Sequence, residues 1–186
     1  MLLRVTSRLA ALALTLMTSS VGCNAGAADP GSGDGGTSDA GTTPPAVHYT
    51  ARKLGSEEAF SLDEARGKAV LLTSWATWCG ACRGELPEID KLWQLNRDRG
   101  LLVVGVNVDV GGGDDTLVAF AQKKALSFPL VRDENNLFQA TFGTVVVPES
   151  RLIDRQGALV EQWSGALDTT APETTAAIDK ALAEKP

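Results

Sequence analysis

The sequence has 186 residues, of which 44% are hydrophobic and 22% are charged, and this suits one soluble domain with tails. Its net charge of −6, with no basic cluster, argues against nucleic acid or anionic lipid as a binding partner. One His in the chain argues against a His-based metal site or a His general base. The three Cys are an odd number, so one thiol is left over from any pair.

The first 22 residues have the pattern of an export signal. Two arginines precede an apolar run that is about half as long as a membrane-spanning helix requires. The end of the segment, Val21-Gly22-Cys23, resembles the lipobox of bacterial lipoproteins, in which the Cys becomes lipidated. We therefore predict that residues 1–22 are a signal peptide and that Cys23 carries a lipid. An ordinary signal peptide that is cut a few residues later is the alternative.

Residues 23–45 are predicted to be a disordered tether. After the Cys they consist of small and polar residues, chiefly Gly, Ala, Ser, Thr, Asp and Pro, with no large apolar side chain. Such a segment cannot bury enough surface to offset the entropy cost of ordering it. A tether directly behind a lipidated Cys would hold a domain at a distance from a membrane.

The remaining residues, 46–186, carry the pattern of an α/β domain. Mixed alternation over 47–62 predicts a hairpin or short strands, and the apolar run 69–75 predicts a buried strand. A helix is predicted from Cys79 or Gly80 to about residue 99, before Gly100.

The second half of this domain continues the mixture of strands and helices. The predicted elements are a strand at 101–110, a helix from Asp114 or Asp115 to about 126, a strand at 128–131, a helix at 135–142, strands around 151–153 and at 158–163, and a last helix opened by a capping box at 170–173. This order predicts a central sheet that mixes parallel and antiparallel strands and is flanked by helices.

The chemistry is concentrated in the pair Cys79 and Cys82. A thiol at the first turn of a helix faces unpaired N–H groups and the positive end of the helix dipole, which favour the thiolate. A second thiol three residues later lies on the same face, so it can close a disulfide or attack a mixed disulfide at the first. The spacing therefore predicts an attacking and a resolving thiol.

Two other interpretations of the pair are weaker. A zinc site would need further ligands, but there is no second Cys pair and His48 is the only imidazole. A structural disulfide that encloses only two residues would add little stability. We predict no metal and no cofactor other than a redox-active Cys79–Cys82 disulfide.

Two segments resemble a known family. Residues 75–87, Trp-Ala-Thr-Trp-Cys-Gly-Ala-Cys-Arg-Gly-Glu-Leu-Pro, resemble the active-site segment of thioredoxin-fold proteins of the TlpA/ResA type. Residues 147–154, Val-Pro-Glu-Ser-Arg-Leu-Ile-Asp, resemble the cis-proline segment of the same proteins. The resemblance covers roughly residues 50–184. It implies a thioredoxin fold with an N-terminal hairpin and a helix–strand insert at 115–131.

The resemblance also implies roles for particular residues. Cys79 would be the nucleophile, Cys82 the resolving thiol, and Pro148 a cis residue packed against the disulfide. Glu85 matches an acidic residue that influences the protonation of the thiols, although a Glu in the first turn of a helix is favourable in any case.

Client binding is expected around the same turn. Trp78 is a candidate for an apolar rim, and Val147 is a candidate for pairing with a client strand. Gly80 and Ala81, the two residues between the cysteines, are further candidates for contact with the client. Ala81 replaces the Pro that is usual before the second Cys. Arg151 replaces an apolar residue, which predicts either a sheet edge or a charge that faces a partner.

The expected function is that of an exported, membrane-tethered oxidoreductase that reduces protein disulfides. The resemblance implies apocytochrome c or another Cys-containing protein as client and a membrane thiol carrier as electron donor. A protein-disulfide oxidant or isomerase, and a non-catalytic thioredoxin-fold binding lipoprotein, are the alternatives.

Overall fold

The structure is a computed structural model, and it describes residues 44–144 and 146–184. The predicted signal peptide, Cys23 and all but the last two residues of the predicted tether lie outside the described residues. The described residues belong to one compact unit. None of the helices in these residues has the length and apolar character that a bilayer crossing requires.

A mixed sheet forms the centre of the domain. The described residues contain seven strands: β1 (Thr50–Lys53), β2 (Ala59–Ser61), β3 (Ala69–Trp75), β4 (Leu101–Asn107), β5 (Leu130–Arg132), β6 (Glu149–Ile153) and β7 (Leu159–Ser164). Their spatial order is β2-β1-β5-β4-β3-β6-β7. The central pairs β3–β4 and β4–β5 are parallel, and the remaining neighbours are antiparallel. The predicted hairpin, mixed sheet and helix–strand insert are confirmed.

Helices cover both faces of this sheet. The described residues contain four: α1 (Cys82–Asn96), α2 (Asp114–Lys123), α3 (Leu137–Phe142) and α4 (Pro172–Ala183). A 3₁₀ turn extends α1 to Arg99, and Gly100 ends it with a φ of 101°, a left-handed conformation that glycine adopts without strain.

Strand β3 separates two hydrophobic cores and carries the active-site turn at its end. All seven of its residues are buried, as expected for a strand covered on both faces. Because side chains alternate along a strand, Leu71 joins the core made with α1, α2 and α4, while Leu72 joins the core around Tyr49 and Phe138. The strand is therefore held rigidly from both sides.

Several predicted element ends are wrong. Helix α1 begins at Cys82 rather than at Cys79 or Gly80, because the Cys79 N–H donates to the Ala76 carbonyl and closes a separate turn. Strand β4 ends at Asn107, three residues before the predicted end.

Both predicted helix caps are wrong as well. Neither Asp114 nor Asp115 caps α2, because Gly113 occupies the cap position and the Asp114 carboxylate accepts hydrogen bonds from Arg52 and Arg132. The Thr170 hydroxyl donates to Asp168, and α4 begins after Ala171 without a side-chain cap. In each case the polar group that the local sequence assigns to the cap forms hydrogen bonds with another side chain instead.

Candidate active site

The two cysteines form a disulfide at the end of β3. Cys79 lies in the turn that follows the strand, Cys82 is the first residue of α1, and their Cα atoms are 5.4 Å apart. The Cys82 N–H points at the Cys79 sulfur, with 3.1 Å between nitrogen and Sγ. An unpaired N–H at a helix start therefore faces the sulfur of Cys79, as the sequence predicts, and this contact favours a thiolate there.

The two sulfur-bearing residues differ slightly in exposure. Cys79 has 4% of its surface exposed and Cys82 has none. Cys82 packs among the core residues between α1 and β3, including Leu86 and Ile89. The order of exposure agrees with an outer attacking thiol and an inner resolving thiol, although the difference is small.

The Val147–Pro148 peptide bond is cis, as the resemblance predicts. The Val147 carbonyl oxygen lies 3.9 Å from the Cys79 sulfur. On the other side of the proline, the Glu149 N–H donates to the Ser74 hydroxyl at 2.9 Å, which ties this segment to β3. Two segments that are 68 residues apart in sequence therefore meet at one sulfur atom.

A cavity of about 190 Å³ lies beside this meeting point. Trp78 and Val146 are on its lining with exposed fractions of 65% and 48%, which is unusual for large apolar side chains. The complete lining is Ser74, Trp78, Val108, Asp133, Asn136, Phe138, Gln139, Thr144, Val146 and Val147. The cavity has an apolar wall, several neutral polar groups and one carboxylate, that of Asp133, an arrangement that suits a side chain of a bound polypeptide.

The residues between the two cysteines are placed differently from Trp78. Gly80 and Ala81 are exposed on the turn but are not part of the cavity lining. Trp75 is fully buried and stacks on Phe120, with 5.1 Å between ring centroids. Of Trp75 and Trp78, only Trp78 is thus available to a partner.

Comparison with known proteins identifies the family. Residues 44–162 match the model of the AhpC/TSA family, which is more than half of the chain. The chain belongs to the AhpC/TSA family. Thioredoxin-like protein YneN of Bacillus subtilis is 33% identical over 123 residues, which cover 66% of this chain and 71% of YneN. Thiol-disulfide oxidoreductase ResA of Bacillus thuringiensis is 32% identical over 104 residues, which cover 56% of this chain and 59% of ResA.

Solved structures share the fold of this AhpC/TSA family member. A DsbF homologue from Corynebacterium diphtheriae superposes with a TM-score of 0.65 at 26% identity, covering 76% of this chain and 89% of that one. A thiol:disulfide interchange protein of the thioredoxin family from Chlorobium tepidum gives a TM-score of 0.64 at 22% identity, covering 75% and 96%. The predicted thioredoxin fold and the resemblance to the TlpA/ResA type are confirmed.

In this AhpC/TSA domain Glu85 is a buried acid on the helix that carries Cys82. It lies three residues after Cys82, so the two side chains are neighbours on one face of α1. The Leu167 N–H donates to its Oε1 at 3.0 Å, and its Oε2 is buried without a hydrogen-bond partner. Burial raises the pKa of Glu85 to about 7, although the hydrogen bond from Leu167 acts in the opposite direction.

The prediction for Arg151, a sheet edge or a charge that faces a partner, is wrong. Arg151 lies neither at a sheet edge nor on a surface that faces a partner, because β6 runs between β3 and β7 and its side chain is buried. The guanidinium donates to the Glu149 carboxylate at 2.6 Å and lies over the Phe142 ring. A charge can occupy this position because an opposite charge two residues away is buried with it.

Sequence reasoning missed part of the site. Asn136, Gln139 and Thr144 line the cavity because α3 and the following loop pack near the active-site turn, and no local pattern indicates this. Asp109, which contacts the turn at Thr77, could have been found. It follows a parallel strand next to β3, and the carboxyl ends of neighbouring parallel strands meet at one edge of a sheet.

Within residues 44–144 and 146–184, no group of three or more His, Cys, Asp or Glu side chains is arranged to hold a metal ion.

Proposed function

We propose that this protein is a thiol–disulfide oxidoreductase that acts outside the cytoplasm and reduces disulfides in protein clients. The observation that carries the proposal is the position of the Cys79 sulfur. It lies between the Cys82 N–H and the Val147 carbonyl, and Trp78 and Val147 connect it to an open cavity. Relatives that bear the name thiol-disulfide oxidoreductase ResA support the same chemistry.

The reaction starts from the reduced dithiol form. The Cys79 thiolate attacks one sulfur of the client disulfide, so that a mixed disulfide forms and the other client sulfur leaves as a thiolate. The Cys82 thiolate then attacks the Cys79 sulfur, and the client leaves with two reduced sulfurs. The product is the Cys79–Cys82 disulfide that the structure contains, and a dithiol donor must supply two electrons and two protons to restore the starting form.

Glu85 is the group best placed to take the proton from Cys82 in the second step. Cys82 is buried and has no exposed surface through which water could remove its proton. A carboxylate with a pKa near 7, one helical turn away on the same face, can accept that proton near neutral pH. The unpartnered Oε2 atom leaves a lone pair free for this purpose.

Client binding uses the cavity and the cis-proline segment together. Trp78 and Val146 offer apolar surface that a client side chain would cover. The polar residues on the lining are neutral except for Asp133, whose carboxylate accepts hydrogen bonds from two N–H groups at the start of α3. The Val147 backbone, next to the attacking sulfur, is placed to pair with an extended client segment. The client is therefore an unfolded or extended polypeptide with an accessible disulfide, for which apocytochrome c is one example.

The proposed location follows from the N-terminal sequence. The apolar run and Cys23 support export and a lipid anchor, and the small polar residues behind them support a spacer. A protein held at a membrane in this way would receive electrons from a membrane thiol carrier. Disulfides persist in such oxidising compartments, so a dedicated reductant is needed there.

The direction of electron flow is tested by the reduction potential of the Cys79–Cys82 couple. The residues between the cysteines, Gly80 and Ala81, include no His or cation that would strongly stabilise the thiolate, so we expect a potential of about −200 to −270 mV. A value above about −150 mV would identify an oxidant instead. Absence of turnover with an insulin-type disulfide substrate would favour a binding module.

A further inference from the structure

The turn that carries Cys79 is held by a carboxylate from a different part of the chain. Asp109 lies two residues after the end of β4 and is half-buried. It accepts a hydrogen bond from the Thr77 N–H at 3.0 Å and another from the Thr77 hydroxyl at 3.2 Å. The Asp109 carboxylate thus binds both the N–H and the hydroxyl of Thr77, which lies two residues before the attacking cysteine.

Asp109 is itself held from two directions. Asn107, a fully buried residue at the end of β4, donates to the Asp109 carboxylate at 2.8 Å and accepts a hydrogen bond from its N–H. The loop that follows contains three glycines, and Arg132 donates to the carbonyls of Gly111 and Gly112 at 2.7 Å each. These contacts fix Asp109 against the sheet, although the adjoining sequence is flexible by composition.

We propose that Asp109 is a positioning residue for the reacting sulfur, a role that presupposes the proposed oxidoreductase function. Thr77 is the second residue of the turn closed by the hydrogen bond from the Cys79 N–H to the Ala76 carbonyl. Fixing Thr77 fixes the turn, and the turn determines whether the Cys79 sulfur meets the Cys82 N–H. The Cys82 N–H stabilises a thiolate more than it stabilises a disulfide sulfur. The contact between Asp109 and Thr77, which we call the Asp109 anchor, therefore favours the reduced form.

The reduction potential separates positioning from general stabilisation. A side chain that only supports the fold stabilises the oxidised and the reduced protein equally, and its removal leaves the potential unchanged. A side chain that orients the thiolate stabilises the reduced form more, and its removal makes the potential more negative. The potential is therefore a readout that a merely structural role does not move.

Two substitutions at Asp109 separate geometry from charge. In Asp109→Asn the amide oxygen can still accept from Thr77 and Asn107, and the amide nitrogen can donate to the Thr77 hydroxyl, so the contacts remain while the charge is lost. In Asp109→Ala both the contacts and the charge are lost. The difference in reduction potential between the two variants therefore measures the effect of the Asp109 anchor without the effect of the charge.

The experiment measures the equilibrium of each variant with a glutathione redox buffer. We expect Asp109→Ala to be more easily oxidised than Asp109→Asn by about tenfold in the equilibrium constant, or about 30 mV. The rate of client disulfide reduction by Asp109→Ala should be at least about tenfold below that of Asp109→Asn. Equal potentials for the two variants would overturn the proposal.

Controls come from Thr77 and from a second acid. Thr77→Val removes only the hydroxyl contact and should shift the potential in the same direction as Asp109→Ala, but by less. Thr77→Ser keeps the hydroxyl and should have the potential of the wild type. Asp115→Asn removes the same charge from an exposed position and should keep the potential of the wild type. If Asp109→Ala does not fold, the Thr77 pair decides, and equal potentials for Val and Ser would overturn the proposal.

Failure of the proposed function would look different. The potential of the cysteine pair is measurable whether or not the protein turns over a client. A wild type without reductase turnover would contradict the proposed function, while a difference in potential between Asp109→Ala and Asp109→Asn would still establish the anchor.

Discussion

The carboxylate of Glu149 and the guanidinium of Arg151 form an ion pair inside the sheet, 2.6 Å apart, with exposed side-chain fractions of 5% and 4%. Ser164 adds a hydrogen bond to the same carboxylate at 2.8 Å. Burial alone would raise the pKa of Glu149, but hydrogen bonds from Thr144 and Ser164 and the nearby guanidinium lower it below its usual value. Glu149 therefore stays ionised directly after the cis-proline.

This pair predicts an asymmetric mutational response. Arg151→Leu leaves a buried carboxylate without its partner and should lower the free energy of unfolding by about 3–5 kcal/mol. The double variant Glu149→Gln with Arg151→Leu removes both charges and should recover a large part of that loss. Urea unfolding at pH 7 measures both. A double variant as unstable as the sum of the single variants would show that the two side chains are not coupled.

The two cysteines should behave differently when each is replaced. Cys82→Ala leaves the attacking thiolate but removes the group that resolves the mixed disulfide, so a client should stay covalently bound. Of the pair, Cys79→Ala leaves Cys82, which is fully buried, and should trap far less client. Non-reducing gels with and without reductant measure the trapped complex. Equal trapping by both variants, or alkylation of the reduced protein mainly at Cys82, would reverse the assigned roles.

Glu85 should make stability depend on pH in the oxidised protein. Because folding raises its pKa from 4.5 to about 7, the folded state holds a proton that the unfolded state releases. Its contribution to stability is fully present below about pH 4.5 and is lost as pH rises through about 7, a change of about 3 kcal/mol.

The test compares wild type with Glu85→Gln across pH 5 to 8. The variant should lack this loss of stability, so the difference in unfolding free energy between the two proteins should grow toward alkaline pH. Glu88→Gln on the same helix serves as the control, because Glu88 is exposed and pairs with Lys91 at the surface. A difference between wild type and Glu85→Gln that is independent of pH would contradict the raised pKa.

Trp78 should contribute to client affinity and not to the redox chemistry itself. Truncating an exposed aromatic anchor at an interface costs more than about 1 kcal/mol, so Trp78→Ala should raise KM for a protein client about 5- to 30-fold. The potential and the reaction with a small aliphatic disulfide should stay near wild type, because such a substrate does not fill the cavity. Leu95→Ala is the matched control, since Leu95 is 78% exposed and is not on the cavity lining. An equal effect of both substitutions would argue against binding at the cavity.

Cys23 is predicted to hold the protein at a membrane. Replacing Cys23 with Ala should move the protein from the membrane fraction to the soluble fraction, because no lipid can then be attached. The potential and turnover of the released domain should not change. Mass spectrometry of the mature N-terminus checks the lipid directly, and an unmodified terminus beyond Cys23 would exclude it.

The order of strands and helices could be predicted from the sequence, because hydrophobic periodicity is a local property. The sequence predicts strand β3 with its observed bounds, since seven consecutive buried residues leave a clear apolar run. The cysteine spacing likewise indicated the disulfide, because a three-residue separation on one turn brings the sulfurs together by local geometry.

The partners of the charged side chains could not be predicted in the same way. Asp114 resembled a helix cap but is bound by Arg52 and Arg132, and Arg151 resembled a surface charge but is buried with Glu149. The environments of Glu85 and Asp109 depend on Leu167 and Thr77, which are 82 and 32 residues away in the chain. The local sequence therefore determined the elements and the reactive pair, whereas the tertiary structure alone decided which charges are buried and paired. The reason is that desolvation and ion pairing depend on atoms that only the complete fold brings together.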